Sequence, residues 1–134
     1  METLSVSANR KKPGLLKLTR NSKIYKSIIK AIHQKKGNNI VSLDLRKIPE
    51  AVADFFIICE ATTNTQIRAI ADHVEELVKK ESGEYPYRHE GFQAMHWVLI
   101  DYINIVVHIM QPETRKFYKL EEMWSDAALT EHND

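Results

Sequence analysis

Nucleophilic catalysis would need an activated Ser, Thr or Cys beside a base. The one cysteine, Cys59, closes the run Phe55-Phe56-Ile57-Ile58, where burial disfavours the thiolate, so it reads as structural. Asp44 and Asp101 are strand carboxylates of the kind that serve metal-dependent nucleotidyl transfer, but that chemistry needs converging carboxylates and a donor-rich loop, and neither is present. His89, Glu90, His96 and His108 fall within twenty residues, yet their spacings match no familiar metal motif. His108 shares a strand face with Val106 and Met110 and reads as a hydrogen-bonded, partly buried histidine. No glycine interrupts Glu60-Ala61-Thr62-Thr63-Asn64, which argues against a phosphate cradle after the second strand. The aromatic residues carry more. Trp97, Tyr102, Phe117, Tyr118 and Trp124 are interleaved with Asp101, Glu113, Glu121, Glu122 and Asp126, the composition of a protein-binding patch facing a basic partner. Phe117 and Trp124 read as core residues; for Trp97, Tyr102 and Tyr118, core and interface are equally consistent with the chemistry.

These residues need elements to position them. Asn21 or Ser22 can cap a helix running to Lys36, with Ile24, Ile28, Ala31 and Ile32 as its buried stripe and Gly37 as its left-handed stop. Ile40 to Leu45 alternates as a half-buried strand, Arg46 to Val52 reads as a loop, and Ala53 to Ala61 reads as an interior strand covered on both faces. Thr63 and Gln66 make a capping box for a helix from Asn64 to about Glu81, whose Ile67, Ile70, Ala71, Val74, Leu77 and Val78 follow the helical period. Tyr85 to Arg88 fits a short edge strand. His96 to Asp101 and Ile105 to Met110 form two more strands, joined by a turn in which Asn104 accepts positive φ and β-branched Ile103 resists it. A last helical stretch starts at Pro112 and continues towards Trp124. The pattern is α/β (α+β): a mixed sheet of about five strands with three packed helices.

Charge divides the chain in two. Residues 1–36 hold ten Lys or Arg against the single acid Glu2, while residues 37–134 hold nine against seventeen acids. Residues 1–21 read as a basic flexible extension, residues 22–126 as the folded domain and residues 127–134 as an acidic C-terminal tail. The extension is acid-poor but has only two Arg and no convincing amphipathic stretch, which argues against an organellar transit peptide. A single cysteine excludes an internal disulfide, and no apolar run approaches the roughly 20 residues of a membrane span.

Five ordered blocks carry a resemblance to a known family. They are Ala53-Asp54-Phe55-Phe56-Ile57-Ile58-Cys59 leading into Asn64 to Val74, then Glu90-Gly91, Trp97 to Tyr102, Val106 to Met110, and Arg115 to Trp124. In order and spacing the chain resembles the ribosomal silencing factor (Iojap-related) family over roughly Ser22 to Asp126. The resemblance implies a small mixed-sheet fold similar to nucleotidyltransferases, without transferase activity. It implies binding to the large ribosomal subunit through ribosomal protein L-fourteen, which sterically blocks joining of the small subunit. By motif position it assigns Trp97, Tyr102 and Tyr118 as partner-facing aromatics, with Asp101 and Glu121 as acids nearby. Two departures stand out: Ile103-Asn104 where the family commonly has Gly-Asp, and Thr63-Asn64-Thr65-Gln66 at the entry to the central helix.

The expectation is therefore a cytoplasmic translation repressor that is not an enzyme, with no cofactor, no metal and no membrane contact. A nucleotide-handling enzyme on the same fold and a large-subunit assembly factor are its rivals. Arg10, Lys11, Lys12, Lys17 and Arg20 are candidate contacts to ribosomal RNA, outside the resemblance. A homodimer of the free factor is left open.

Overall fold

The computed structural model describes residues 22–133. A first helix, α1 (Lys23–Gln34), is followed by strands β1 (Asn38–Asp44) and β2 (Phe55–Glu60), then the long helix α2 (Asn64–Ser82). Strands β3 (Arg88–Glu90), β4 (Trp97–Asp101) and β5 (Ile105–Met110) precede two short helices, α3 (Pro112–Tyr118) and α4 (Leu120–Met123), and a final strand β6 (Ala128–Glu131). The sheet has the order β3-β4-β5-β2-β1-β6, with β2 and β5 parallel and every other pair antiparallel.

Both faces of this sheet are covered, which sets two cores. On one face Phe55, Ile57 and Cys59 of β2 and Val98 and Ile100 of β4 meet Ile28 and Ile32 of α1 and Ile67, Ile70 and Val74 of α2. On the other, Val41, Leu43, Phe56, Ile58, Val106 and Met110 meet Leu120 of α4 and the loop residues Leu45, Ala51 and Ala53. Alternation along each strand produces this division, since successive side chains leave a strand on opposite sides.

Several local expectations change. The sheet has six strands, because Ala128–Glu131, expected within the acidic tail, pairs with β1 from Asp44↔Ala128 to Val41↔Glu131. β1 therefore lies inside the sheet and is covered on both faces from Ile40 to Leu43. Its polar Ser42 is accommodated by a 2.6 Å hydrogen bond with the Tyr25 hydroxyl. The short edge strand occupies Arg88–Glu90, overlapping the expected Tyr85 to Arg88 only at Arg88. At the end of α1 it is Lys36, at φ 63°, that turns left-handed. Gly37 follows in a Schellman arrangement, its N–H reaching the Ile32 carbonyl at 2.9 Å while Lys36 N–H reaches His33 at 3.0 Å. A Cβ on Gly37 would stand 2.5 Å from Ile32 Cγ2, so this position excludes other residues by packing. Thr63 caps α2 through a 3.1 Å bond from Gln66 N–H, but the Gln66 amide does not return to Thr63. It donates instead to the Lys36 carbonyl at 2.9 Å and so ties the two helices together.

The β4–β5 turn also departs from expectation. Ile103, not Asn104, takes positive φ, at 75°. Asn104 N–H donates to the Tyr102 carbonyl at 2.9 Å, a three-residue γ-turn of the strained kind, and the Asp101 carboxylate holds Ile103 N–H at 2.8 Å. The basic extension, with Arg10, Lys11, Lys12, Lys17 and Arg20, lies outside the described residues.

Candidate functional site

The site is built where β4 begins and α3 ends. Gly91, at φ 91°, lets the 91–95 turn close back on β4: a Cβ there would collide with the Trp97 carbonyl. Met95 N–H donates to the Gly91 carbonyl at 3.0 Å, and Trp97 then starts the strand with its ring on the face away from α1 and α2. Gln111 links β4, β5 and α2. Its N–H reaches the His96 carbonyl at 2.9 Å and its amide donates to Asn64 Oδ1 at 2.9 Å. Pro112 then opens α3 at a position where a missing N–H costs nothing.

Arg115 fixes α3 to the sheet. It is nearly buried, and its guanidinium donates to the Asn39 carbonyl at 2.7 Å, to Glu60 at 3.1 Å and to Glu121 at 2.6 Å. Lys119, at φ 52°, breaks the helix so that α4 can turn Leu120 into the core. Phe117 and Tyr118 are left on the outside.

The result is a continuous aromatic ladder. Phe117 and Tyr118 rings meet edge-on at 5.0 Å, Tyr118 lies 4.8 Å from Trp97, Trp97 5.9 Å from His108, His108 4.6 Å from Phe56, and Phe56 6.0 Å from Trp124. The middle, Phe56 and His108, is buried, Trp124 at one end is partly buried against the core, and the other end is open: Phe117 is 76% exposed and Tyr118 48%. Beside the open end is a hollow of about 350 Å3 lined by His96, Trp97, Glu113, Thr114, Phe117 and Tyr118. The Trp97 indole N–H donates to His108 Nδ1 at 3.0 Å. Indole can only donate, so Nδ1 is the acceptor and Nε2 carries the hydrogen. That Nε2 is buried with no hydrogen-bond partner, and burial pushes the His108 pKa down to about 3. His108 is therefore a neutral core group, as its place beside Val106 and Met110 suggested.

Of the residues assigned by resemblance, Trp97 and Tyr118 meet on this surface. Glu121 lies nearby but is engaged by Arg115. Asp101 and Tyr102 do not join them. Asp101 is 2% exposed at the far end of β4, about 13 Å along the strand from Trp97 at the usual rise, and bonded to Ile103 N–H and Arg88. Tyr102 is 6% exposed and packs in the other core, on the opposite face of the sheet, where burial raises its phenol pKa and its hydroxyl has no partner. Trp124 packs against the core as expected, whereas Phe117, expected in the core, is the most exposed large apolar residue among the described residues. The acidic rim is mixed: Glu113 lines the aromatic hollow, and Lys116 and Lys119 stand beside Glu121 and Glu122 in a neighbouring one of about 500 Å3.

The residues with catalytic potential are dispersed. Asp44 and Asp101 leave opposite faces of strands three positions apart in the sheet, a separation of at least about 14 Å. Burial pushes the Cys59 thiol up to about 12. Among the described residues no group of three His, Cys, Asp or Glu is placed to hold a metal ion, and no helix is long and apolar enough to cross a membrane.

Comparison with known proteins adds a family. The family described as ribosomal silencing factor during starvation matches residues 19–134. The ribosomal silencing factor RsfS of Halalkalibacterium halodurans is 36% identical over 111 residues, covering 83% of this chain and 93% of that relative. A crystal structure of a Chromobacterium violaceum protein superposes with a TM-score of 0.72 at 32% identity, covering 76% of this chain and 83% of the other. A mouse protein named mitochondrial assembly of ribosomal large subunit protein 1 is 32% identical over 74 residues, covering 54% of this chain and 32% of that protein.

Proposed function

The chain belongs to the ribosomal silencing factor family, and we propose that it silences translation by docking its aromatic face on the large ribosomal subunit. The partner is ribosomal protein L-fourteen, and the bound factor stands where the small subunit would join. It works as a steric plug in the cytoplasm and needs neither nucleotide nor metal. The observation that carries this reading is the open end of the ladder, Phe117-Tyr118-Trp97, on a short helix locked to the sheet by Arg115. Large rings held rigidly at a surface lose little freedom on binding and are the usual anchors of protein interfaces. Within the assigned set, Trp97 and Tyr118 make this contact, Phe117 joins them, and Glu121 acts through Arg115. Asp101 and Tyr102 support β4 from inside the fold. The same exposed rings give the free factor a surface for homodimerisation.

Light scattering from separated subunits tests the mechanism. The factor is expected to slow their association and to leave preformed joined ribosomes intact, since an occupied face offers it no footing. Slowed peptide synthesis on joined ribosomes with normal association would reject steric exclusion. The name of the mouse relative favours a second reading, assistance in large-subunit assembly. Accumulation of immature large subunits on deletion, with normal association kinetics, would select it.

A further inference from the structure

A hollow of about 790 Å3 lies on the opposite side of the sheet from the aromatic ladder, along α1. Its rim carries Lys26, Lys30 and His33, its floor Ile29 and the ring of Tyr25, and its far wall His132. Lys23, Lys26, Lys30 and His33 recur at three- and four-residue spacing, which places them on one side of the helix. No acid occurs between Glu2 and Asp44. Among the described residues, Glu81 from α2 is the carboxylate bonded to this stripe, and it is committed: it accepts from Lys30 Nζ at 2.7 Å and from Ser27 Oγ at 2.6 Å. Lys23 and Lys26 are exposed and in no ion pair with a described residue.

The floor and wall are fixed. The Tyr25 hydroxyl lies 2.6 Å from Ser42 Oγ and 3.2 Å from His132 Nε2, Ser42 Oγ lies 2.9 Å from the same nitrogen, and His132 N–H donates to the Ile40 carbonyl at 2.8 Å. The half-buried Ile29 and His33 under a cationic rim combine the two features with which proteins hold single-stranded nucleic acid, a surface for a base, here with one imidazole ring, and lysines for the backbone.

We propose that the α1 hollow is a second binding site, for single-stranded RNA, with Lys23 and Lys26 on phosphates and a base against Ile29 and His33. It goes beyond the docking function and does not depend on the aromatic face. In sequence, α1 continues the acid-free segment that begins in the basic extension. An acidic peptide would satisfy the lysines but leave the apolar floor unfilled.

The test uses the full chain and a fluorescent twelve-nucleotide single-stranded RNA of mixed sequence, with anisotropy read across a salt series. Lys23→Gln/Lys26→Gln removes two phosphate contacts. Affinity should fall roughly 25-fold at 0.1 M salt, and the slope of log K against log salt should become shallower by about 1.4, the counterion release of two single-strand phosphates. Trp97→Glu should bind the RNA normally, which separates this site from the docking face. Arg10→Gln/Lys11→Gln/Lys12→Gln reports the extension on the same scale. The proposal is overturned if the wild-type chain does not bind this RNA. It is equally overturned if the Lys23/Lys26 variant keeps wild-type affinity and slope, or if polyglutamate binds through these lysines and the RNA does not.

Discussion

The indole N–H of Trp97 donates to Nδ1 of His108 at 3.0 Å across the β4–β5 pair, so a ring of the surface ladder is oriented by a histidine buried beneath it. The bond holds only while His108 is neutral, and the burial that keeps it neutral comes from the same core that supports the sheet.

That coupling gives a pH prediction. The native-state pKa is pushed below the unfolded value of about 6.5, so in the acid range the unfolded chain takes up the proton first. Stability is complete above pH 6.5 and falls as pH drops from there towards 3, by about 2 kcal/mol between pH 6.5 and 5. Urea unfolding at both pH values should show this loss in the wild type and not in His108→Gln, which keeps an acceptor for Trp97 but does not titrate. Parallel losses would mean that His108 is solvated in the native state.

At the docking face, Trp97→Glu should weaken binding to purified L-fourteen protein by about 2–4 kcal/mol, the range of interface anchors. Phe117→Ala and Tyr118→Ala should each cost about 1–2 kcal/mol, on the same scale. Circular dichroism controls for folding. A folded Trp97→Glu variant with wild-type affinity would remove the ladder from the interface.

Tyr102 separates placement in the structure from assignment by resemblance. Its hydroxyl is buried without a partner in the core on the far face, so Tyr102→Phe should leave partner affinity unchanged. It should raise stability by roughly 1 kcal/mol, the cost of one unsatisfied polar group. A tenfold loss of affinity with an intact fold would return Tyr102 to the interface.

The outcome for these aromatics follows from what a sequence encodes. Strand β2 was legible as an unbroken apolar run and helix α2 from its helical period, and the ordered blocks put Trp97 and Tyr118 in one set, although that set also held Tyr102, which packs in the other core. Phe117 was not. It sits in a seven-residue helix, too short for a period to say which side faces inward, and the Lys119 break that turns it outward is a backbone event at an unremarkable residue. Arg115 reads in the sequence as one more surface cation, because its three partners come from positions 39, 60 and 121. Ile103 was expected to avoid positive φ and adopts it, since the Asp101 carboxylate and the β4–β5 register together over-determine the turn.

Ile103→Gly therefore has a definite sign. Relief of the left-handed strain should outweigh the extra freedom of glycine in the unfolded chain, for a net gain of about 1 kcal/mol in urea unfolding. A net loss would show that the half-buried Ile103 side chain contributes more packing than its backbone costs.

Arg115→Met keeps the aliphatic bulk but strands Glu60 and Glu121. Both carboxylates retain some solvent, 17% and 28% exposed, so the cost should be about 2 kcal/mol, below the range for fully buried pairs. Because α3 loses its tether, partner affinity should fall as well, although Arg115 itself lies beneath the face. Loss of stability with full affinity would mean that α3 is held by Pro112 and Leu120 alone.

The last prediction concerns β6, which occupies what reads in the sequence as a short acidic tail. It covers the outer edge of β1, and His132 and Asn133 bond the Ile40 carbonyl and amide, each at 2.8 Å. Ending the chain at Asp126 would expose a long apolar strand at the sheet edge and remove His132 from the Tyr25–Ser42 pair. Stability should fall by about 2 kcal/mol, the net worth of a few hydrogen bonds at the sheet edge. Faster hydrogen exchange should appear in β1, while the β4 amides around Trp97, on the other side of the sheet order, stay protected. Unchanged stability and unchanged β1 exchange would restore the tail reading, because an ordered strand cannot be removed from a sheet edge without a trace in the strand it covers.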